Sequence, residues 1–282
     1  MGERCDMREK ARVVAVINQK GGVGKTTIAH NLSAAFVARG QRVLVIDLDS
    51  QGHLTRGLGL WHLYEKEGAP SLYHSLADRK KQYPLSDAVY EHPIEKFSVV
   101  PSNFEMALAD RELNQQRDRE HKLRHVMEPI LGEYDWVFLD TPPYLTPTSD
   151  NAINASRRLL IPVEADGKSL GGLELQLNQI EGIEIELSIY IAILAIVPNR
   201  VEDTREAADM LTLLRSNFPY VAPFDLRKRT LLAQAWTARR SIYTFEPRGS
   251  SQERTRAELV AAYDRLADLV TARYAEEDTR GR

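Results

Sequence analysis

The chain has 282 residues, 43% of them hydrophobic, enough for a sizeable packed core, and its formal net charge is −3. That balance excludes a globally basic nucleic-acid binder, so any contact with phosphates must come from a local patch. A single cysteine, Cys5, excludes an internal disulfide and any four-cysteine metal cluster within one chain.

The opening MGERCDMREK is too charged for a secretory signal and has Asp6 where a myristoylation motif wants Ser or Thr. A short disordered extension over 1–10 is expected, then a single domain over 11–276 and a tail over 277–282. Within that domain, apolar runs rich in Val and Ile alternate with segments of helical period. This is the signature of an α/β fold, a mostly parallel twisted sheet with helices on both faces. Strands are expected at 11–17 (ARVVAVI), 42–47 (RVLVID), 97–101 (FSVVP), 135–140 (DWVFLD), 158–163 (RLLIPV) and 191–197 (IAILAIV). The longest apolar run, IYIAILAIV at 189–197, is far short of the roughly 20 residues of a membrane-spanning helix and reads as a buried strand. A helix is expected over 26–39, ended by Gly40. From 251 to 276, Leu259, Val260, Tyr263, Leu266, Leu269, Val270 and Tyr274 recur at helical spacing, a stripe that packs a last helix on the sheet. Such sheets bind ligands at the carboxyl ends of their strands.

The most informative stretch is NQKGGVGKTT at 18–27, which follows the first strand and opens the first helix. It departs from the usual phosphate-loop pattern by carrying Gln19 at the first position and a second lysine, Lys20. Gly21, Gly22 and Gly24 let the backbone approach an anion, and Val23, Thr26 and Thr27 add free N–H groups beside the positive end of the helix dipole. Lys25 adds a point charge on the outer phosphates, and the Thr26 hydroxyl is positioned for Mg²⁺. Two further strand ends are acidic, VIDLDSQG with Asp47 and Asp49 and VFLDTPP with Asp140. Nucleotide hydrolysis needs such carboxylates, one to hold Mg²⁺ and another to orient or deprotonate the attacking water.

KGGVGKTT, VIDLDSQGHLT and YDWVFLDTPP resemble the three nucleotide motifs of the ParA/MinD family of ATPases, in particular its ParA branch, which partitions plasmids and chromosomes. The similarity runs on through VVPSNFEMALADREL, PVEADGKSLGGLELQLNQIE and LRKRTLLAQAWTARRSIYTFEPRGSS, nearly the whole chain. The resemblance implies a P-loop ATPase that binds ATP and Mg²⁺, dimerises face to face with ATP, binds DNA without sequence preference and answers to a ParB-like partner. It makes Lys20 the signature lysine that reaches the ATP of the other subunit, its charge satisfied only when that nucleotide is present. It makes Asp49 the group that positions the hydrolytic water, Asp47 a support for the metal site and Asp140 the acidic residue near Mg²⁺. Asn199, directly after a strand, falls where relatives hydrogen-bond adenine. Ser50 stands where the family usually has proline and His53 where it usually has asparagine, which bears on the geometry of the second motif.

From 227 to 256 there are eight basic residues against Glu246 and Glu253, a local excess of six positive charges. Such a segment suits sequence-independent contact with DNA phosphates, with Arg239 and Arg240 the first candidates and Arg227 next. Trp236, Tyr243 and Phe245 within it read as core. Two rival readings stand beside this one. A MinD-like membrane ATPase needs a terminal amphipathic helix, whereas this chain closes YAEEDTRGR; metabolic enzymes on the same scaffold include small-molecule ligases. The cargo, whether plasmid, chromosome or protein assembly, is specified by the partner. A cytoplasmic protein is expected, with no membrane association.

Overall fold

In the computed structural model, residues 11–280 are described except for 66–69, 81, 145 and 168. The expected extension over 1–10, with Cys5, lies outside the described residues. Seven strands form one sheet: β1 (Arg12–Val16), β2 (Val43–Asp47), β3 (Tyr90–Glu91), β4 (Ser98–Val100), β5 (Trp136–Asp140), β6 (Arg158–Glu164) and β7 (Ala192–Asn199), in the order β3-β4-β2-β5-β1-β6-β7. Every pairing is parallel except β3 with β4. The two-residue β3 carries no apolar run, so its edge pairing is invisible in the sequence.

The helices are α1 (Lys25–Ala38), α2 (His53–Gly57), α3 (Trp61–Tyr64), α4 (Leu72–Leu76), α5 (Ala109–Asn114), α6 (Lys122–Met127), α7 (Pro147–Ser156), α8 (Ser169–Leu187), α9 (Arg205–Asn217), α10 (Thr230–Thr237) and α11 (Ser250–Arg280). Period-two alternation sends strand side chains to opposite cores. Val14, Val16, Val45 and Phe138 join α1, α10 and α11 on one face, while Val13, Ala15, Ile46 and Leu139 join α4 to α8 on the other. Both sets are buried, each such side chain contributing roughly 1.5–3 kcal/mol. The stripe along α11 is spent in this way: Leu259, Tyr263, Leu266 and Val270 are buried against the core that α1 shares. α11 also runs to Arg280, past the expected domain end at 276, because Glu277 is buried there and accepts hydrogen bonds from the Tyr190 hydroxyl at 2.7 Å and from Arg280 at 2.8 Å. Among the described residues no helix is long and apolar enough to cross a membrane.

The parallel strands all point their carboxyl ends at one edge. β1 ends between β5 and β6, so α1 starts at the point where the chain first leaves the sheet, the topological crevice of an open α/β fold.

A polar cluster braces α1 from below. His30 is fully buried, with Nε2 at 3.6 Å from Glu95 Oε1, and that oxygen accepts hydrogen bonds from Ser241 N–H at 2.7 Å and the Thr244 hydroxyl at 2.6 Å. Burial pushes the Glu95 carboxyl up, but His30 and the two donors outweigh it and hold it down to about 2. A depressed carboxylate stabilises the fold above its ordinary range, and that stability is lost as pH falls from about 4.5 to about 2. Replacing Glu95 with Gln is therefore expected to lower stability at neutral pH and to flatten the acid limb of the unfolding curve in that window, as read by urea titrations at stepped pH.

Candidate nucleotide site

The loop after β1 turns through Gly22 (φ 82°) and Gly24 (φ 91°), a left-handed backbone that side-chain-bearing residues seldom adopt. α1 begins at Lys25 with Gly24 as its N-cap and no side chain capping it, so its first N–H groups lack acceptors and are available to an anion. Gly21, Gly22, Gly24, Lys25, Thr26 and Thr27 line one wall of a pocket of about 680 Å³. Val23 is buried behind them, and its carbonyl accepts a 2.7 Å hydrogen bond from Asn199 Nδ2. A side chain on Gly24 would meet that nitrogen at 2.3 Å, so Asn199 also fills the space the glycine leaves. Asn199 thus supports the loop from behind while lining the pocket, where the sequence reading gave it to the base.

Lys25 is buried, and its ammonium donates to Asn18 O at 2.8 Å. Burial lowers its pKa, opposed by the charges of Asp140 and Asp49. Asp140 is fully buried beside Asp47 across the β2–β5 pairing. Burial, and next the Asp47 charge, raise the Asp140 carboxyl well above its usual range; the nearby Thr26 hydroxyl and Lys25 pull the other way. Neither Asp140 oxygen has a hydrogen-bond partner of ordinary geometry. Two orphaned carboxylate oxygens next to a threonine hydroxyl form a hard, all-oxygen donor set, which fits Mg²⁺ held with phosphates and water.

Asp47 differs. Its Oδ2 accepts from Thr55 N–H at 2.8 Å and the Thr55 hydroxyl at 2.7 Å, while Oδ1 accepts from Asp49 N–H at 3.2 Å. Burial pushes its carboxyl up to about 7 against those hydrogen bonds. Asp47 therefore offers the metal region charge rather than a vacant ligand position. Thr55, which no motif reasoning singled out, is the hub here, since Ser102 N–H donates to its hydroxyl at 2.9 Å. Asp49 lines the pocket with its carboxylate fixed at both oxygens, by Gln51 N–H at 2.9 Å and by His53 Nδ1 at 3.2 Å.

Lys20 does not stand free. Its ammonium lies 2.8 Å from Glu164 and 2.6 Å from Asp166, just past the end of β6, and these neighbours raise its pKa against burial. The expectation that its charge is satisfied only by a partner's nucleotide is corrected: within one chain, two carboxylates some 145 residues away satisfy it. They lie in PVEADGK, whose acidic character was visible but whose proximity was not.

The basic segment is also less segregated than its count. Arg227 pairs with Asp203 and with Asp225 at 2.8 Å, Lys228 with Glu202 at 2.6 Å, and Arg229 with Asp203 at 3.8 Å and Glu258 at 3.9 Å. Arg239 and Arg240 diverge rather than following one line. Arg240 is half-buried and lines the nucleotide pocket, as does Arg227, while exposed Arg239 lies over Gly59 and lines a second cavity. Trp236 packs on Gly57, and Tyr243 donates to Asp264 at 2.8 Å, so these two aromatics are structural as expected, and Phe245 packs with the α11 core.

A glycine turn, a buried lysine, an uncapped helix start and paired buried carboxylates at the crevice of a parallel sheet together define a P-loop nucleotide-binding protein. The sequence profile of the AAA domain matches residues 11–193. The cell division protein PomZ of Myxococcus xanthus is 31% identical over 94% of this chain and 81% of its own length. The chromosome partitioning protein ParA of Caulobacter vibrioides is 35% identical over 66% of this chain and 68% of its own. Among solved structures, cobyrinic acid a,c-diamide synthase from Mycobacterium smegmatis with bound ATP analog and magnesium superposes with a TM-score of 0.74 and 25% identity, covering 92% of this chain and 93% of that one. The chain belongs to the ParA/MinD family of P-loop ATPases, in its ParA-like branch.

Replacing Thr55 with Val removes a hydroxyl that joins Asp47 to Ser102. It is expected to lower stability by about 1–3 kcal/mol, read by urea denaturation, whereas Thr55→Ser should stay near the parent.

Proposed function

We propose that this chain is a partition ATPase of ParA type: ATP makes it a dimer, the dimer binds DNA without sequence preference, and hydrolysis stimulated by a ParB-like, DNA-bound partner releases it. The observation that carries the reading is the pocket itself, where the phosphate loop with Lys25 faces a doubly fixed Asp49, while Lys20 stands at the loop's start on Glu164 and Asp166. In this reading the loop N–H groups and Lys25 hold the phosphates, and Thr26 and Asp140 hold Mg²⁺, which neutralises charge developing on them. Asp49, unable to rotate, orients the attacking water. Lys20 exchanges Glu164 and Asp166 for the partner's ATP, so dimerisation is an exchange of ion pairs rather than the filling of an empty one.

A protein cargo in place of DNA is the second reading, kept because a relative matched over 94% of this chain is a cell division protein and not a partition protein by name. The membrane reading is disfavoured because the apolar stripe of α11 is already buried. The ligase reading rests on a likeness of fold. A cytoplasmic location, with the ATP dimer on the nucleoid, belongs to the same proposal.

Light scattering should report a dimer with ATP and Mg²⁺ and a monomer with ADP. Lys25→Ala should lose nucleotide. Lys20→Ala should keep it but fail to dimerise, and Glu164→Gln, which weakens the competing pair, should dimerise at lower ATP. Asp49→Ala should bind ATP and persist as the dimer with turnover reduced by about 10²-fold or more. Unchanged turnover in Asp49→Ala, or full dimerisation of Lys20→Ala, would refute the assigned role.

For DNA, Arg239→Ala is expected to weaken binding to all sequences alike and to reduce the salt slope by about 1. Arg227→Ala, already neutralised by two aspartates, should change it less, and Arg240→Ala should alter nucleotide affinity as well, since Arg240 lines that pocket. Filter binding across a salt series separates the three.

A further inference from the structure

Adjoining the nucleotide pocket, and sharing His53, Trp236 and Thr237 with it, lies a second cavity of about 390 Å³ lined also by Arg56, Gly57, Trp61 and Arg239. Among the described residues no carboxylate lines it. Arg56 lies over the rings of Trp61 and Tyr64, at 5.1 and 5.5 Å, and neither Arg56 nor Arg239 has an acidic partner among the described residues, whereas Arg227, Lys228 and Arg229 on the same segment all do. Trp61 is 42% exposed, a large area for a ring with no core to join. Arg239 is held in a left-handed backbone (φ 58°), a strain of roughly 1–2 kcal/mol that glycine would avoid. Unpaired arginines around exposed tryptophan are the composition of binding hot spots.

We propose that this cavity is a docking site for an acidic segment of a partner protein, one that places carboxylates on Arg56 and Arg239 and an apolar side chain on Trp61. Charge complementarity selects the occupant. A second copy docking the same patch about a two-fold axis would bring arginine against arginine. Duplex DNA can reach exposed Arg239, but Arg56 is half-buried against the Trp61 and Tyr64 rings, where a peptide side chain reaches it more readily than a phosphate backbone does. His53 lines this cavity and the nucleotide pocket and holds Asp49, so the site adjoins the hydrolytic carboxylate without being part of the phosphate loop. The docking proposal does not rest on the partition reading, and ATP and DNA enter its test only as controls.

Trp61 lines this cavity, Trp236 lines both it and the nucleotide pocket, and Trp136 is buried in the core, so intrinsic fluorescence reports binding and the Arg56 variant assigns it to this cavity. The probe is a short synthetic peptide of glutamate and phenylalanine, with its glutamine and phenylalanine counterpart as the neutral control. The full chain should give a saturable change with the acidic peptide and none with the neutral one. Arg56→Gln should weaken acidic-peptide binding by about tenfold while leaving the far-ultraviolet spectrum, ATP binding and duplex DNA affinity at parental values. Equal response to both peptides overturns the proposal on the unmodified protein alone. Undiminished peptide binding in Arg56→Gln, or an equal loss of peptide and DNA binding, overturns it as well, the last by making the cavity a general anion surface.

Discussion

Everything at the working edge of this fold follows from one electrostatic constraint: a lysine and three aspartates share a space largely closed to water. Lys25, Asp47, Asp49 and Asp140 are all buried. No isolated charge is tolerable there, and burial disfavours the charged forms of Lys25, Asp47 and Asp140. The protein meets the constraint unevenly. Asp47 is fully hydrogen-bonded, Asp49 is clamped but reaches the pocket, and Asp140 is left with two orphaned oxygens. The uneven treatment separates three chemically identical side chains, and the proposed roles of support, orientation and cation binding rest on that difference. An anionic ligand with a hard cation completes the balance, which makes nucleotide binding a stabilising event for the fold itself.

Six of the seven strands and the first and last long helices, α1 and α11, were legible because apolar strand runs and the α11 stripe are local patterns, and the phosphate loop because glycine, lysine and threonine at fixed spacing are a local device. What was illegible is long-range. Nothing near Lys20 in sequence announces Glu164 and Asp166, nor does the count over 227–256 reveal that Asp203 folds onto Arg227. A charge tally assumes that residues near in sequence share a surface, and Arg239 with Arg240 breaks that assumption at a single peptide, since the left-handed turn at Arg239 sends the two side chains to different cavities. Thr55 was hidden for a different reason: a threonine in a short helix carries no signal until the strand end that it caps is seen in space.

Polar contacts also explain how distant elements keep register with the loop. Asn31 in α1 donates to Thr27 O at 2.9 Å and accepts from Ile242 N–H at 2.8 Å, and Glu95 ties His30 to Ser241 and Thr244. The helix that presents the phosphate loop is thereby fixed to the turn that follows Arg240, so the pocket wall and the basic segment form one body.

The contact between Gly57 and Trp236 extends that body to α2. A methyl group at position 57 would fall 2.1 Å from the indole, far inside contact distance. The indole can keep its seat only while position 57 carries no side chain, and position 57 can acquire one only if the residue at 236 shrinks. The two positions are separated by most of the chain, yet they constrain each other as one substitution unit. Among descendants of this sequence they are therefore bound to vary together or not at all.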